Sequence, residues 1–197
     1  MAVTKCAADI AANIAPNCEK PITHGYTGRG VIYNRMEVDF TPSATNPRKI
    51  TAIAPREGKK PYLITNVGTN PFDGTNKAQN LEGNAPRFNK TIAFDVPLRG
   101  ADVSKDIIEP LLKNRGGFVL LLELNDRVGD GSFEIYGYES GAKCTALTEN
   151  PTDVATGGSW HVELMEEAAN FGSVVLFDTD YETSLSSFEA QLLLADV

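Results

Sequence analysis

Short runs of apolar residues, four to seven long, recur between Gly117 and Phe177, and Gly, Asn or Asp bounds each run. Runs of this length are typical of β-strands and are too short for solitary helices. One run, residues 118–122, shows no alternation, so we expect a central strand that is covered on both sides. Four strands of a β-meander are predicted, at Phe118–Leu124, Phe133–Tyr138, Trp160–Leu164 and Val174–Phe177.

Alternation within the second and third of these strands separates an apolar face from a mixed face. Apolar side chains recur at every second position, and the positions between them carry Glu134, Tyr136, Tyr138, His161 and Glu163. The side chains that we expect to anchor the core are Phe133, Ile135, Trp160, Val162 and Leu164.

The rest of the chain predicts further strands at residues 31–40, 50–54, 62–67 and 88–98. Two stripes with helical spacing predict short helices that pack on the sheet, the first interrupted by Pro110. Their apolar positions are Ile107, Ile108, Leu111 and Leu112 in the first helix, and Leu185, Phe188 and Leu192 in the second. The fold class is therefore mainly β (α+β), an antiparallel sandwich or barrel-like sheet with one or two short helices.

Residues 68–87 form a long polar stretch with few large apolar side chains. Compact domains seldom carry loops longer than about 12 to 15 residues unless those loops are functional or disordered. We therefore expect an extended loop here, either a mobile surface loop or an arm that orders against a neighbouring subunit. The residues assigned to this assembly arm are Asn70, Phe72, Asp73, Asn76, Lys77 and Leu81.

Length and composition fit a single domain over residues 1–197, in which residues 1–20 form an N-terminal arm or a short helix. The formal net charge of −8 argues against a nucleic-acid-binding surface and favours soluble, mutually repelling chains. Three cysteines without C-x-x-C spacing and two histidines predict neither a disulfide framework nor a zinc site. We expect no export signal and no membrane span, and hence a protein made in the cytoplasm.

No constellation of residues predicts catalysis, and we expect neither an enzyme nor a cofactor. The glycine-rich stretch lacks the Lys-Ser/Thr of a phosphate loop, the serine lacks a nucleophile elbow, and the carboxylates lack the alternating oxygens of a calcium loop. The glycine-rich stretch is Gly25–Gly30, the serine is Ser140, and the carboxylates are Asp126, Asp130 and Glu134. Glu166 and Glu167 are expected in a solvated turn.

The segment Phe133–Gly141, followed by a polar stretch, Gly157–Leu164 and a final strand, resembles the carboxy-terminal half of tail tube proteins of long-tailed bacteriophages. In those proteins a strand that ends in a G-x-x-x-G turn precedes an exposed loop, a glycine-rich start and a strand with the last core residues. The likeness is a pattern of spacing over residues 117–177. It extends to uncharacterised virion proteins of phages and prophages of Bacteroidetes-type hosts.

The resemblance implies a structural protein of the virion, a subunit that self-assembles into hexameric rings stacked into a tube. Its partners are then further copies of itself, other phage tail or neck proteins, and DNA as a transient, non-specific cargo in the lumen. The acidic balance fits a lumen that repels phosphate. One alternative is a phage neck, ring or head-completion protein. An alternative of another class is a carbohydrate-binding β-sandwich that uses Trp160, Tyr136 and Tyr138 as a stacking platform.

Overall fold

The computed structural model describes residue 14 and residues 22–66, 71–79, 87–127, 129–154 and 157–196. This part of the chain is mainly β, with two sheets and few helices, which confirms the predicted sandwich-like α+β fold. The N-terminal arm or helix predicted at residues 1–20 lies outside the described residues, Ile14 excepted. The strands are β1 (Tyr26–Asn34), β2 (Val38–Pro42), β3 (Lys49–Pro55), β4 (Tyr62–Thr65), β5 (Asp73–Gln79), β6 (Arg87–Val96), β7 (Phe118–Leu124), β8 (Phe133–Tyr136), β9 (Lys143–Glu149), β10 (Trp160–Ala169) and β11 (Val175–Leu176).

Two helices accompany the strands in the described part of the chain. Helix α1 consists of an α-helical turn, a π-helical turn and a second α-helical turn in direct succession, at Ala101–Val103, Ser104–Ile108 and Glu109–Lys113. Helix α2 is Tyr181–Asp196. Its first turn is capped by Asp180, whose carboxylate accepts the backbone N–H of Thr183 at 2.8 Å.

The seven-stranded sheet has the order β2-β3-β11-β8-β7-β1-β4. Strand β7 confirms the predicted central strand, because residues 118–123 are buried whichever face they occupy. Phe118, Leu120 and Leu122 join a core cluster between the two sheets. Val119 and Leu121 join a second cluster, which α2 covers with Phe188. The molecule is therefore layered as helix α2, the seven-stranded sheet and the four-stranded sheet.

The seven-stranded sheet is strongly curved. Strands β1 and β2 lie five positions apart in its order, which in a flat sheet would separate them by about 24 Å. Only the 3₁₀ turn Arg35–Glu37 joins them, however, and so short a connection spans at most about 14 Å. Gln191 on α2 bridges the curve, since its amide accepts the Tyr33 hydroxyl at 2.9 Å and donates to the Ile53 carbonyl at 3.2 Å.

The four-stranded sheet has the order β5-β6-β10-β9 and is antiparallel throughout. The predicted meander is therefore wrong. Strand β10 pairs with β6 and β9 in this sheet, whereas β7, β8 and β11 lie in the other one. The strands predicted near residues 50–54, 62–67 and 88–98 are confirmed as β3, β4 and β6. The single strand predicted at 31–40 is broken by the 3₁₀ turn, which leaves Met36 66% exposed.

Helix α1 departs from its predicted apolar stripe because of Pro110. A proline cannot donate a backbone hydrogen bond within a helix, and the preceding π-helical turn absorbs this defect: the N–H of Glu109 donates five residues back, to Ser104. The extra residue rotates the last turn of the helix about the helix axis. Leu111 is consequently buried, whereas Leu112 is 62% exposed.

Candidate functional site

The four-stranded sheet ends in two long strands, β5 and β9, and each of them is paired on one side only among the described residues. Both strands are seven residues long. The edge strands of the other sheet are shorter, since β4 has four residues and β2 has five and ends in Pro42. Unpaired backbone along a strand is a template for pairing with another chain.

Strand β5 stands where the sequence predicted a loop, and that prediction is wrong at its centre. Asp73–Gln79 pairs with β6 over its whole length, so Asp73, Asn76 and Lys77 of the predicted arm belong to a sheet. Phe72 is 3% exposed and packs edge-on against Tyr26, with ring centroids 5.9 Å apart. Phe72 thus anchors a strand of otherwise polar sequence. The other two arm residues, Asn70 and Leu81, lie outside the described residues.

The face of this sheet that points away from the core is small and polar. On β6 and β10 the apolar side chains of one parity are buried, and the other parity forms this outer face. His161 and Asp95 pair on it directly across the two strands, with Nδ1 and Oδ1 2.9 Å apart. Its central residues are Asn89, Thr91, Ala93 and Asp95 on β6 and His161, Glu163 and Met165 on β10.

The inner face carries a buried carboxylate. Glu166 is 1% exposed and accepts backbone N–H groups from Gly137 at 3.1 Å, Glu139 at 2.7 Å and Ser140 at 3.0 Å. The solvated turn predicted for Glu166 is therefore wrong, although Glu167 is exposed. Glu166 shares the parity of Val162 and Leu164, which is the one signal in the sequence for its burial, but a charged residue by itself predicts exposure.

Lys90 lies on the inner face beside this carboxylate and is fully buried. Its ammonium donates to the Ile135 carbonyl at 2.9 Å and lies 5.4 Å from the centroid of the Tyr136 ring. Burial lowers the pKa of Lys90, and the negative charge of Glu166 opposes that shift. The two side chains therefore form a polar link between the two sheets.

A tyrosine pair lies on the same inner layer under β5. The Tyr26 and Tyr136 hydroxyls are 2.7 Å apart, and Oε2 of Glu134 lies 3.2 and 3.1 Å from them, so one hydroxyl can donate to the other while that other donates to Glu134. Burial, reinforced by the Glu134 charge, raises the pKa of both phenols. Gly74 covers them, because a Cβ at that position would lie 2.3 Å from each hydroxyl oxygen.

An open groove of about 350 Å³ lies between α1 and β9. Trp160 lines it and is half-buried, whereas the other four predicted core anchors are fully buried, namely Phe133, Ile135, Val162 and Leu164. Cys144, a free thiol, also lines the groove. Burial raises the pKa of this thiol.

The stacking platform of the carbohydrate-binding alternative is not formed. Tyr136 is 2% exposed, Tyr138 packs edge-on against Phe40, and Trp160 belongs to the other sheet. A sugar ring cannot reach the three side chains together, which removes the observation that motivated this alternative.

The weak catalytic and metal candidates are also dispersed. Asp130 is ion-paired with Lys49 at 2.6 Å, and Glu134 is held by the tyrosine pair. Within the described ranges no group of three His, Cys, Asp or Glu side chains could hold a metal ion. None of the described helices is long and apolar enough to cross a membrane.

No protein-family model, curated protein or solved structure matches this chain. The functional argument therefore rests on the geometry of the four-stranded sheet and on the residues around it.

Proposed function

We propose that this protein is a structural subunit of a virion, a tail tube protein whose copies join edge to edge through the four-stranded sheet. The observation that supports this most is the pair of seven-residue edges, β5 and β9, on one sheet. A long strand edge left open invites aggregation, and closure of the sheets into a ring removes it.

The strand directions suit such a closure. Strands β5, β6, β10 and β9 alternate in direction, so β5 and β9 run opposite ways. Copies related by rotation about a ring axis keep their directions, and β9 of one copy therefore meets β5 of the next in antiparallel orientation. The contact is head-to-tail, and such contacts generate closed rings when the rotation closes.

A ring of this kind would have the outer face of the sheet as its inner wall. Barrels of about 16 to 18 strands already leave an aqueous channel, and six copies of a four-stranded sheet exceed that number. The wall would carry Thr91, Ala93, Asp95 and Glu163 at its centre, with Lys77 of β5 and Lys143 of β9 in the outer rows of the same face.

The test is sedimentation velocity with negative-stain microscopy, over a series of protein and salt concentrations. The open edge of β5 is blocked with proline in two separate variants at neighbouring positions, Thr75→Pro and Asn76→Pro. Backbone N–H groups alternate between the partner strand and the open side, so one of the two prolines removes only an outward donor. The matched control is the same pair on the edge of the other sheet, Leu63→Pro and Ile64→Pro.

We expect the folded β5 variant to stay monomeric while the folded β4 variant assembles like the wild type. Rings that form equally well with a blocked β5 edge would contradict the proposal, and so would a wild-type chain that remains monomeric throughout. Microscopy also separates the tail tube from a neck or head-completion role. A tube subunit stacks into long cylinders, whereas a neck component stops at single rings.

A further inference from the structure

The groove between α1 and β9 is a built surface that no described part of the chain fills. Cys144, Leu147 and Trp160 line it from the core side, and Thr145 and Ala146 of β9 line it as well. Helix α1 supplies Ile108 and the 62% exposed Leu112. Glu109 is the one carboxylate among its described lining residues, and it is paired with Lys113. An apolar partner could therefore enter without burying an unpaired charge.

We infer that this groove binds the N-terminal segment, residues 1–21, of a neighbouring copy of the same chain. The inference rests on the proposed homomeric assembly and extends it by a second contact.

The chemistry of the N-terminal segment suits the groove. It is rich in alanine and carries Ile10 and Ile14 four residues apart, so it offers small and branched apolar side chains. Lys5 and Lys20 balance Asp9 and Glu19, while the whole chain carries −8. The segment is therefore a neutral stretch that can approach another acidic copy without net repulsion.

The position of the segment favours a groove on another copy. Ile14 and Ile22, the apolar residues of this end that the structure describes, are 90% and 85% exposed on their own chain. Their burial requires a surface that the described part of the single chain does not place against them. A stretch of residues 1–21 can span up to about 70 Å, which is enough to reach a neighbour.

Two native side chains report on the groove. Trp160 is the only tryptophan of the chain, and Cys144 can be made the only thiol with Cys6→Ser and Cys18→Ser. When copies associate, we expect the Trp160 emission to shift to the blue and maleimide labelling of Cys144 to slow by about tenfold or more. Leu112→Glu and Ile14→Asp should each abolish both changes. Leu193→Glu, at a 70% exposed leucine on α2, is the matched control and should leave them intact.

A mixing experiment identifies the occupant directly. One full-length chain keeps only Cys144, the other keeps only Cys6 or only Cys18, and a bismaleimide joins thiols that lie close together. We expect cross-linked heterodimers with the wild-type groove and a loss of about tenfold when the Cys144 chain carries Leu112→Glu. The control is a Cys144 chain that carries Leu193→Glu, which should cross-link like the wild type. An equal yield of heterodimers from the Leu112→Glu and Leu193→Glu chains would overturn the inference.

The two proposals fail in different ways. Rings that assemble without any change at Trp160 and without heterodimers refute the docked segment and leave the edge-to-edge ring standing. Heterodimers without rings at any concentration refute the ring and support the docked segment as a contact between copies. Rings together with heterodimers and protection of Cys144 support both.

Discussion

The carboxylate of Glu166 accepts the backbone N–H of Glu139 at 2.7 Å and thereby ties the four-stranded sheet to the turn after β8 in the seven-stranded sheet. This turn runs from Gly137 to Gly141, and both glycines have φ values near +78°, which L side chains rarely adopt. The glycine spacing that suggested a tail-tube-like pattern is therefore held in place by a charge from the opposite sheet.

Glu166→Ala should destabilise the fold strongly. It removes the acceptor of three backbone N–H groups and the negative charge that acts on the buried Lys90. A buried donor left without its acceptor costs about 1 to 3 kcal/mol, and three donors lose theirs here. The measurement is the free energy of unfolding from urea titrations. Glu167→Ala, at the exposed neighbouring residue, is the matched control and should change stability by less than about 0.5 kcal/mol. Equal effects of the two substitutions would refute the structural role of Glu166.

Gly74→Ala should also destabilise the protein, although the change adds only a methyl group. The new Cβ would lie 2.3 Å from the hydroxyl oxygens of Tyr26 and Tyr136, which are hydrogen-bonded to each other beside the Glu134 carboxylate. Overpacking of this kind costs about 1 to 3 kcal/mol. The control is Gly131→Ala, where the added Cβ meets no atom within 4 Å. Thermal unfolding that is unchanged by Gly74→Ala would mean that β5 does not lie on the tyrosine pair.

The sequence was sufficient for the elements in which one physical signal dominates. The continuous apolar run of β7 predicted a strand covered on both sides, because only such a strand can bury every side chain. Alternation placed Phe133, Ile135, Val162 and Leu164 on the faces that the structure buries. These predictions depend on local hydrophobicity alone, and the fold class was inferred from them.

The sequence was insufficient where long-range packing overrides local preference. Strand β5 has the composition of a loop, and its pairing comes from the length of β6 and from the buried Phe72. Lys90 and Glu166 share the parity of the core, yet charged residues predict exposure unless the partner is known, and that partner lies on another element. The open edges of the candidate assembly site also depend on strand order, which no local pattern contains.

Tyr33→Phe should weaken the loss of stability at alkaline pH. The Tyr33 hydroxyl is buried and donates to Gln191, and burial raises the pKa of this phenol above its ordinary value of 10.0. Its stabilising contribution is therefore complete below pH 10, the unfolded value, and is lost as the pH rises toward the folded value. The stability advantage of the wild type over Tyr33→Phe should fall by about 1 kcal/mol between pH 10 and 11.

This difference is measured by urea titration at pH 8, 10 and 11. Tyr62→Phe provides the exposed control, since Tyr62 is 54% exposed and the fold buries little of it. A wild-type advantage over Tyr33→Phe that stays constant across this pH range would show that the Tyr33 phenol ionises as readily in the folded chain as in the unfolded one.

Assembly should depend on salt, and the position of a charge should matter beyond its effect on the net charge of −8. In the proposed ring the outer faces of all four-stranded sheets turn toward one lumen, so the Glu163 carboxylates gather around a common axis. Glu182 lies on α2, which covers the opposite face of the seven-stranded sheet. Salt screens such repulsion over about 8 Å at physiological ionic strength. Glu163→Gln should therefore lower the NaCl concentration of half-maximal assembly further than Glu182→Gln, which changes the net charge equally. Sedimentation velocity over a salt series measures both midpoints, and equal shifts would place the contacts between copies elsewhere than around this face.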